Sequence, residues 1–471
     1  MYHFVDAQST DRSHAPCHGG TSSYRTPPHS MSLATSLLPL KDALRYSRHL
    51  RHVGGLLAHA RGLAAREPPE RIARLTRALT MLESPASRHR ATEALHRKPG
   101  FDDPAPWEAA VRAEPRYASL LKDKPHLTRS VILKAPGPGG EKGLLLMTFE
   151  YNWARLLLGL DAAGRRWIDE NYDLVLSTSW SPTDYAVLGL ALACTTGDVF
   201  VQSCNYGEIE AIEAFHPRLR CLQTLPCDWI NPVLYEPKAP SERETDIVMV
   251  ANWGEFKRHW ELFRALRHMP AHLKIVLIGQ REPGRSTETI RALARAHGVP
   301  QQLEIHESIP IAEVARLQCQ AKVSVIMTRR EGCCVAAVES LFAGCALAMR
   351  TDAHVGPLAY INEHTGQRLR PGHVHEDLMT LLAKASQITP RQWAVDHLAC
   401  HLSREKLNQL LQASAERHGK PWTTDIAQPH WRPHPTLAHE ADRERLRPAY
   451  DELHRRFPQV FSADLIETSW K

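Results

Sequence analysis

The stretch A-K-V-S-V-I-M-T-R-R-E-G-C-C-V-A-A-V-E-S-L-F-A-G-C, residues 321–345, decides how the chain folds. Residues 321–328 are apolar and β-branched, the signature of a short strand buried in a parallel sheet. Glu331 and Glu339 then bracket a run of small residues suited to a helix, and Gly332 follows the first acid directly. Eight residues along a helix rise about 12 Å, roughly the reach from a sugar ring across a diphosphate to a ribose. The helix N-terminus between the acids offers unpaired N–H groups and a positive dipole end, which suits a phosphate. Two carboxylates gripping hydroxyls on either side of a diphosphate describe a nucleotide-sugar pocket. A plainer reading also fits, with Glu331 capping the helix and Glu339 on a solvated face.

Outward from this unit, strands and helices alternate. D-I-V-M-V-A (246–251), K-I-V-L-I-G (274–279), L-E-I-H (303–306) and A-L-A-M-R (346–350) read as further strands, with helices over 257–267, 287–297, 311–319 and 336–342 between them. A first series precedes it: S-V-I-L-K-A (130–135), Y-D-L-V-L-S-T-S (172–179), D-V-F-V-Q-S (198–203) and R-C-L-Q-T-L (220–225), with a helix starting near Ser181. Alternation of this kind builds parallel sheets. Two series joined by a Pro-rich linker predict two Rossmann-like domains facing a cleft, with ligands at the strand C-terminal ends. The expected division is a disordered 1–30 with Met31 as a second candidate start, a helical extension over 31–127, a first Rossmann-like domain over 128–225, a linker over 226–245, a second Rossmann-like domain over 246–388, and a helical tail over 389–471.

Within the extension, residues 37–96 are dense in Arg45, Arg48, Arg51, His52, Arg61 and Arg66. A basic amphipathic helix of this kind suits peripheral contact with an anionic membrane. The alternative is a helical pre-domain with a solvated basic face, favoured by Gly54, Gly55 and Gly62, which interrupt the helix.

Composition narrows the class. The 471 residues suffice for two or three domains. Basic residues exceed acidic ones only 58 to 52, too small an excess for a nucleic-acid binder. No run approaches a membrane span, and the N-terminus lacks a secretory pattern, so a cytoplasmic protein is expected. The ten cysteines form no C-x-x-C pair and read as reduced thiols. His373 and His375 are the nearest approach to metal spacing and read as an exposed loop pair, so no metal site is expected.

Four segments, in order, resemble the retaining GT-B glycosyltransferases. They are L-P-C-D-W-I-N-P-V-L-Y-E-P (225–237), V-A-N-W-G-E-F-K-R (250–258), the E-x7-E pair Glu331 and Glu339, and A-H-V-G-P-L-A-Y-I-N-E-H-T-G-Q-R-L-R-P-G (353–372). The resemblance runs over residues 224–385 and more weakly over 128–223. It implies an α/β, GT-B-like fold and a nucleoside diphosphate sugar as co-substrate, without a cofactor. The implied chemistry is sugar transfer with retention to a saccharide or lipid-linked acceptor.

By the same resemblance, Lys257 holds the diphosphate, Arg258 assists, Glu331 binds the donated sugar and Glu339 the ribose. The backbone of Gly332, Cys333 and Cys334 touches sugar and phosphates, and residues 305–309 edge the base pocket. Gly139 and Gly140, with Gly143, resemble the glycine-rich loop facing the diphosphate, although an ordinary turn explains P-G-P-G-G as well. A surface lysine at a helix start is the plainer reading of Lys257. Asn252 stands where the family carries an Arg, Ser203, Cys204 and Asn205 where it often has a His, and Ala359 where it often has an acid. Two rival readings follow: another enzyme on the same fold, such as an epimerase, and a catalytically silent scaffold in a polysaccharide assembly complex.

Overall fold

The computed structural model describes residues 37–97, 100–118, 130–431 and 435–465. The expectation for residues 1–30 lies outside them. Two sheets organise the chain. The first contains β1 (Ser130–Lys134), β2 (Gly143–Thr148), β3 (Tyr172–Ser177), β4 (Val199–Gln202) and β5 (Leu219–Cys221), side by side in that order. The second contains β6 (Thr245–Val250), β7 (Ile275–Gly279), β8 (Leu303–Glu307), β9 (Ala321–Ile326), β10 (Ala346–Arg350) and β11 (Gly366–Leu369). Its spatial order is β11-β10-β9-β6-β7-β8, parallel throughout. The direction of winding reverses between β6 and β9, which opens a crevice at their C-terminal ends. The chain is thus α/β, with two Rossmann-like domains facing a cleft and a helical N-terminal region.

The sequence reading passed over β2. Leu144 to Met147 are buried, and β2 runs parallel to β3, while β1 is antiparallel to β2. This reversal corrects the placing of the glycine loop. Gly139 and Gly140 join the C-terminal end of β1 to the N-terminal end of β2, so they lie at the end of the sheet away from the cleft. Their positive φ values, 68° and 81°, serve a tight exposed turn.

Four of the five N-terminal helices pack on the first domain, and the last three enter its core. They are α1 (Leu38–Arg45), α2 (Arg48–Ala64), α3 (Pro68–Met81), α4 (Pro85–Arg97) and α5 (Pro104–Arg112). The glycines of α2 do not interrupt it. A Cβ at Gly55 would stand 3.0 Å from Leu82, and one at Gly62 would stand 2.8 Å from Leu75, so both let α2 lie close on α3 and the chain that follows it. The basic face also divides: Arg51 donates to the Thr80 carbonyl at 2.6 Å and His52 Nδ1 accepts from Glu83 N at 3.1 Å, turned inward, while Arg45, Arg48 and Arg61 are exposed. Trp107 of α5 is fully buried against Gly189 of α6 (Tyr185–Cys194), where a Cβ would sit 2.0 Å from the indole.

Helix α1 instead crosses to the second domain. Lys41 pairs with Glu255 at 2.7 Å, and Asp42 with both Arg258 and Arg329 at 3.2 Å. The C-terminal helices run the other way. Leu407 and Leu411 of the helix Cys400–Arg417 and Leu446 and Leu453 of the helix Glu440–Arg456 share the first domain's apolar core, where the Tyr450 hydroxyl accepts from Ile132 N at 2.9 Å. Among the described residues, no helix is long and apolar enough to cross a membrane.

Candidate functional site

A cavity of about 570 Å³ lies between the two sheets, bounded by the ends of β2 and β3 on one side and of β6, β7 and β9 on the other. Asn252, Lys257, Glu331, Gly332, Cys333, Cys334 and Glu339 all line it. Lys257 ends a short turn after β6, and Glu331 follows β9, so the reversal in strand order brings them together. The Lys257 ammonium and the Glu331 carboxylate form an ion pair with side chains only 7% and 4% exposed. A pair this deep holds its geometry, because exposing either charge to the dry interior alone is costly.

Gly332 is required by space. A Cβ there would sit 1.8 Å from the Ser179 carbonyl oxygen, in the opposite domain. Cys334 adopts a left-handed conformation, φ 45°, and leads into α7 (Val335–Phe342). Glu331 therefore stands in the turn before the helix, and only residues 335–339 contribute helical rise between the two acids. The first turn of α7 begins at the cavity wall formed by Val335 and Ala336, while the Ala337 amide already donates to the Cys334 carbonyl at 3.0 Å. Burial pushes the Glu339 carboxyl up to about 7, an effect opposed by its hydrogen bond with Tyr235. Burial likewise holds the Cys333 and Cys334 thiols well above the usual range, so both are neutral.

The structure does not bring every expected residue here. Arg258 is turned away, in left-handed backbone at φ 60°, with its guanidinium held by Asp42 and by Glu261 at 3.2 Å. Gly139 and Gly140 do not line the cavity either. Asn252 lines it but is engaged locally. Its amide donates to Glu282 at 2.6 Å, and its oxygen accepts from Gly254 N at 3.2 Å. Of residues 305–309, Ser308 and Ile309 reach the cavity.

Glu150 was missed by sequence reasoning. It follows β2 through Phe149, whose φ is 67°, and lines the cavity opposite Glu331. It is deeply buried, and burial raises its pKa. The Ser179 N–H donates to it at 3.1 Å, and the Ser179 hydroxyl donates to its other oxygen. Glu150 therefore fixes the loop whose carbonyl abuts Gly332. The signal lay in L-L-L-M-T-F-E at 144–150, an apolar strand ending in an acid.

Further contacts hold the domains together. Trp180 meets Phe256 edge-on at 6.1 Å, Cys204 Sγ lies 3.5 Å from Cys333 Sγ, and a Cβ at Gly356 would approach the Cys204 carbonyl oxygen to 2.1 Å. Ser203 and Asn205 hydrogen bond to each other, and Ala359 lies in a short helical turn over Gly356–Tyr360.

Residues 235–387 match the family model Glycosyl transferases group 1. No curated protein matches the chain. Among solved structures, the sucrose-phosphate synthase of Thermosynechococcus elongatus is similar at 16% identity, covering 58% of this chain and 74% of that one with a TM-score of 0.46. HepE of Anabaena, solved with UDP, is similar at 14% identity, covering 64% and 83% with a TM-score of 0.45. TarM of S. aureus, solved with UDP, is similar at 11% identity, covering 55% and 58% with a TM-score of 0.41.

Proposed function

We propose that this protein transfers a sugar from a nucleoside diphosphate sugar to an acceptor hydroxyl with retention of configuration, and that it needs no metal. The observation that carries the reading is the buried Lys257–Glu331 pair at the reversal point of a group 1 domain, inside a cavity closed by the opposite domain. The donor diphosphate lies between the Lys257 ammonium and the first-turn amides of α7. Both are fixed before the reaction, so they stabilise the charge that grows on the leaving group without reorganising. Glu331 and the backbone at Gly332 hold the sugar, and Glu339 takes the ribose hydroxyls. As the glycosidic bond breaks, the leaving phosphate accepts the acceptor's proton on the same face. The Ser179–Gly332 contact excludes water, which would otherwise hydrolyse the donor. The acceptor is a saccharide or lipid-linked saccharide in polysaccharide or glycolipid synthesis, on the cytoplasmic side.

A second reading, a silent scaffold of the same fold, is favoured by one observation: Asn252 adds no charge where a second cation would grip the diphosphate. The two part on ligand and turnover. A panel of UDP-, GDP- and ADP-sugars should raise the melting temperature for one nucleotide class, by about 2.7 kcal/mol of stabilisation at about 100 times Kd. The Lys257→Ala variant should lose that shift, and NMR of the product should show the donor's anomeric configuration. No shift with any sugar nucleotide would leave the scaffold reading in place, and an inverted product would overturn retention.

A further inference from the structure

Eight of the twelve exposed large apolar side chains among the described residues lie between positions 37 and 63. On α1, Leu40 and Leu44 are 58% and 55% exposed; on α2, Leu50, Val53, Leu57 and Leu63 are between 49% and 55% exposed. Leu50, Val53 and Leu57 follow the helical repeat on the side of α2 opposite Gly55 and Gly62, so packing on the first domain leaves this stripe facing solvent. An apolar stripe of this length on a folded surface marks a contact site.

Charge selects its occupant. Helix α2 has no acidic residue, Arg61 is exposed beside the stripe, and Arg45 is exposed at the end of α1. The one carboxylate of α1, Asp42, is committed to Arg258 and Arg329. The acids that follow, Glu67 and Glu70, come only after α2 has ended, and Glu70 is engaged by Arg74 at 2.6 Å. A second copy laid face to face would set these arginines against themselves, with no acid on α2 to answer them.

We propose that α1 and α2 form an interfacial anchor for an anionic lipid surface, with the leucine stripe seated among the acyl chains and the arginines at the headgroups. The geometry is that of an amphipathic helix lying in the plane of the interface. Unlike the reading from the sequence, it assigns insertion to Leu50, Val53 and Leu57, and it removes Arg51 and His52 from the lipid-facing set. It does not depend on the glycosyl transfer reading.

The test is co-sedimentation of the full chain with vesicles of phosphatidylcholine alone and with vesicles also containing phosphatidylglycerol. The protein should pellet with the anionic vesicles and stay in solution with the neutral ones, and added salt should weaken the binding. Leu50→Glu combined with Leu57→Glu should reduce the bound fraction at least about tenfold with an unchanged melting temperature, since both positions are exposed. Arg45→Gln and Arg61→Gln together should remove the preference for anionic lipid. Equal binding of wild type and the double leucine variant would overturn the proposal. So would a wild-type chain that ignores both vesicles, or a dimer in sedimentation velocity that the leucine substitutions dissociate.

Discussion

The two Rossmann-like domains contribute unequally to the cavity they enclose. The second supplies its charged groups from two loops 74 residues apart, Lys257 after β6 and Glu331 after β9, which meet because the strand order reverses there. The first supplies Glu150 and Ser179, from loops 29 residues apart, as a prop for the cleft. Chemistry placed straight after a buried strand is legible one segment at a time, although only the strand order brings the segments together. Support whose partner lies in a second loop is legible from neither loop by itself.

That contrast is sharpest in the variants that separate chemistry from closure. Glu331→Ala should lower turnover by about 10²–10³-fold, as removing a preorganised polar group from a closed site does, and cost about 3–5 kcal/mol of stability by breaking the buried pair. Full-rate turnover in a donor-consumption assay would show that the second domain does not carry the chemistry. Gly332→Ala sets its methyl against the Ser179 carbonyl, so the domains must part. Turnover should fall about 10²-fold and donor hydrolysis by water should rise relative to transfer, with about 1–3 kcal/mol lost from stability. An unchanged ratio of hydrolysis to transfer would mean that closure is not the role of this contact.

Glu150→Gln keeps the shape but replaces one acceptor oxygen with a donor facing Ser179. Expected losses are about 1–3 kcal/mol of stability and about tenfold in turnover, measured by melting temperature and kcat. A loss as large as that of Glu331→Ala would break the comparison by placing chemistry in the first domain.

The smallest effect is a pH dependence. In the proposed reading Glu339 must be ionised to accept from both ribose hydroxyls, and its pKa of about 7 depletes that form below neutrality. Nucleotide affinity, read by calorimetry, should fall toward about tenfold per pH unit below 7, and Glu339→Gln should flatten the profile. Folding stability runs the other way. The unfolded chain ionises this carboxyl near its ordinary value of 4.5, so the folded state binds the extra proton between 4.5 and about 7 and stability declines as pH rises through that window.

The sequence was most legible where a strand is buried on both faces and followed by a short turn, as at 246–251, 274–279 and 321–328. There hydrophobic pattern and backbone demand agree, and the acids after β9 fall in place. It was least legible where direction or packing partner mattered. Residues 130–135 look like the opening strand of a parallel sheet, and nothing local reveals that β1 runs antiparallel, which moved Gly139 and Gly140 to the wrong end. Arg258 neighbours Lys257, yet its left-handed backbone turns it toward Asp42, more than two hundred positions away in the chain. The glycines of α2 look like breaks until Leu75 and Leu82 occupy the space they leave.

Helix α1 has a mechanical consequence. It is joined through Tyr46 and Ser47 to α2, which is seated on the first domain, yet its own ion pairs are all with the second. It works as a tether laid across a door: parting the two domains must either separate Lys41 from Glu255 and Asp42 from its two arginines or swing α1 about the Tyr46–Ser47 joint. Added salt should loosen the exposed Lys41–Glu255 end of this tether more than the buried Asp42–Arg258 end, through charges that lie outside the cavity.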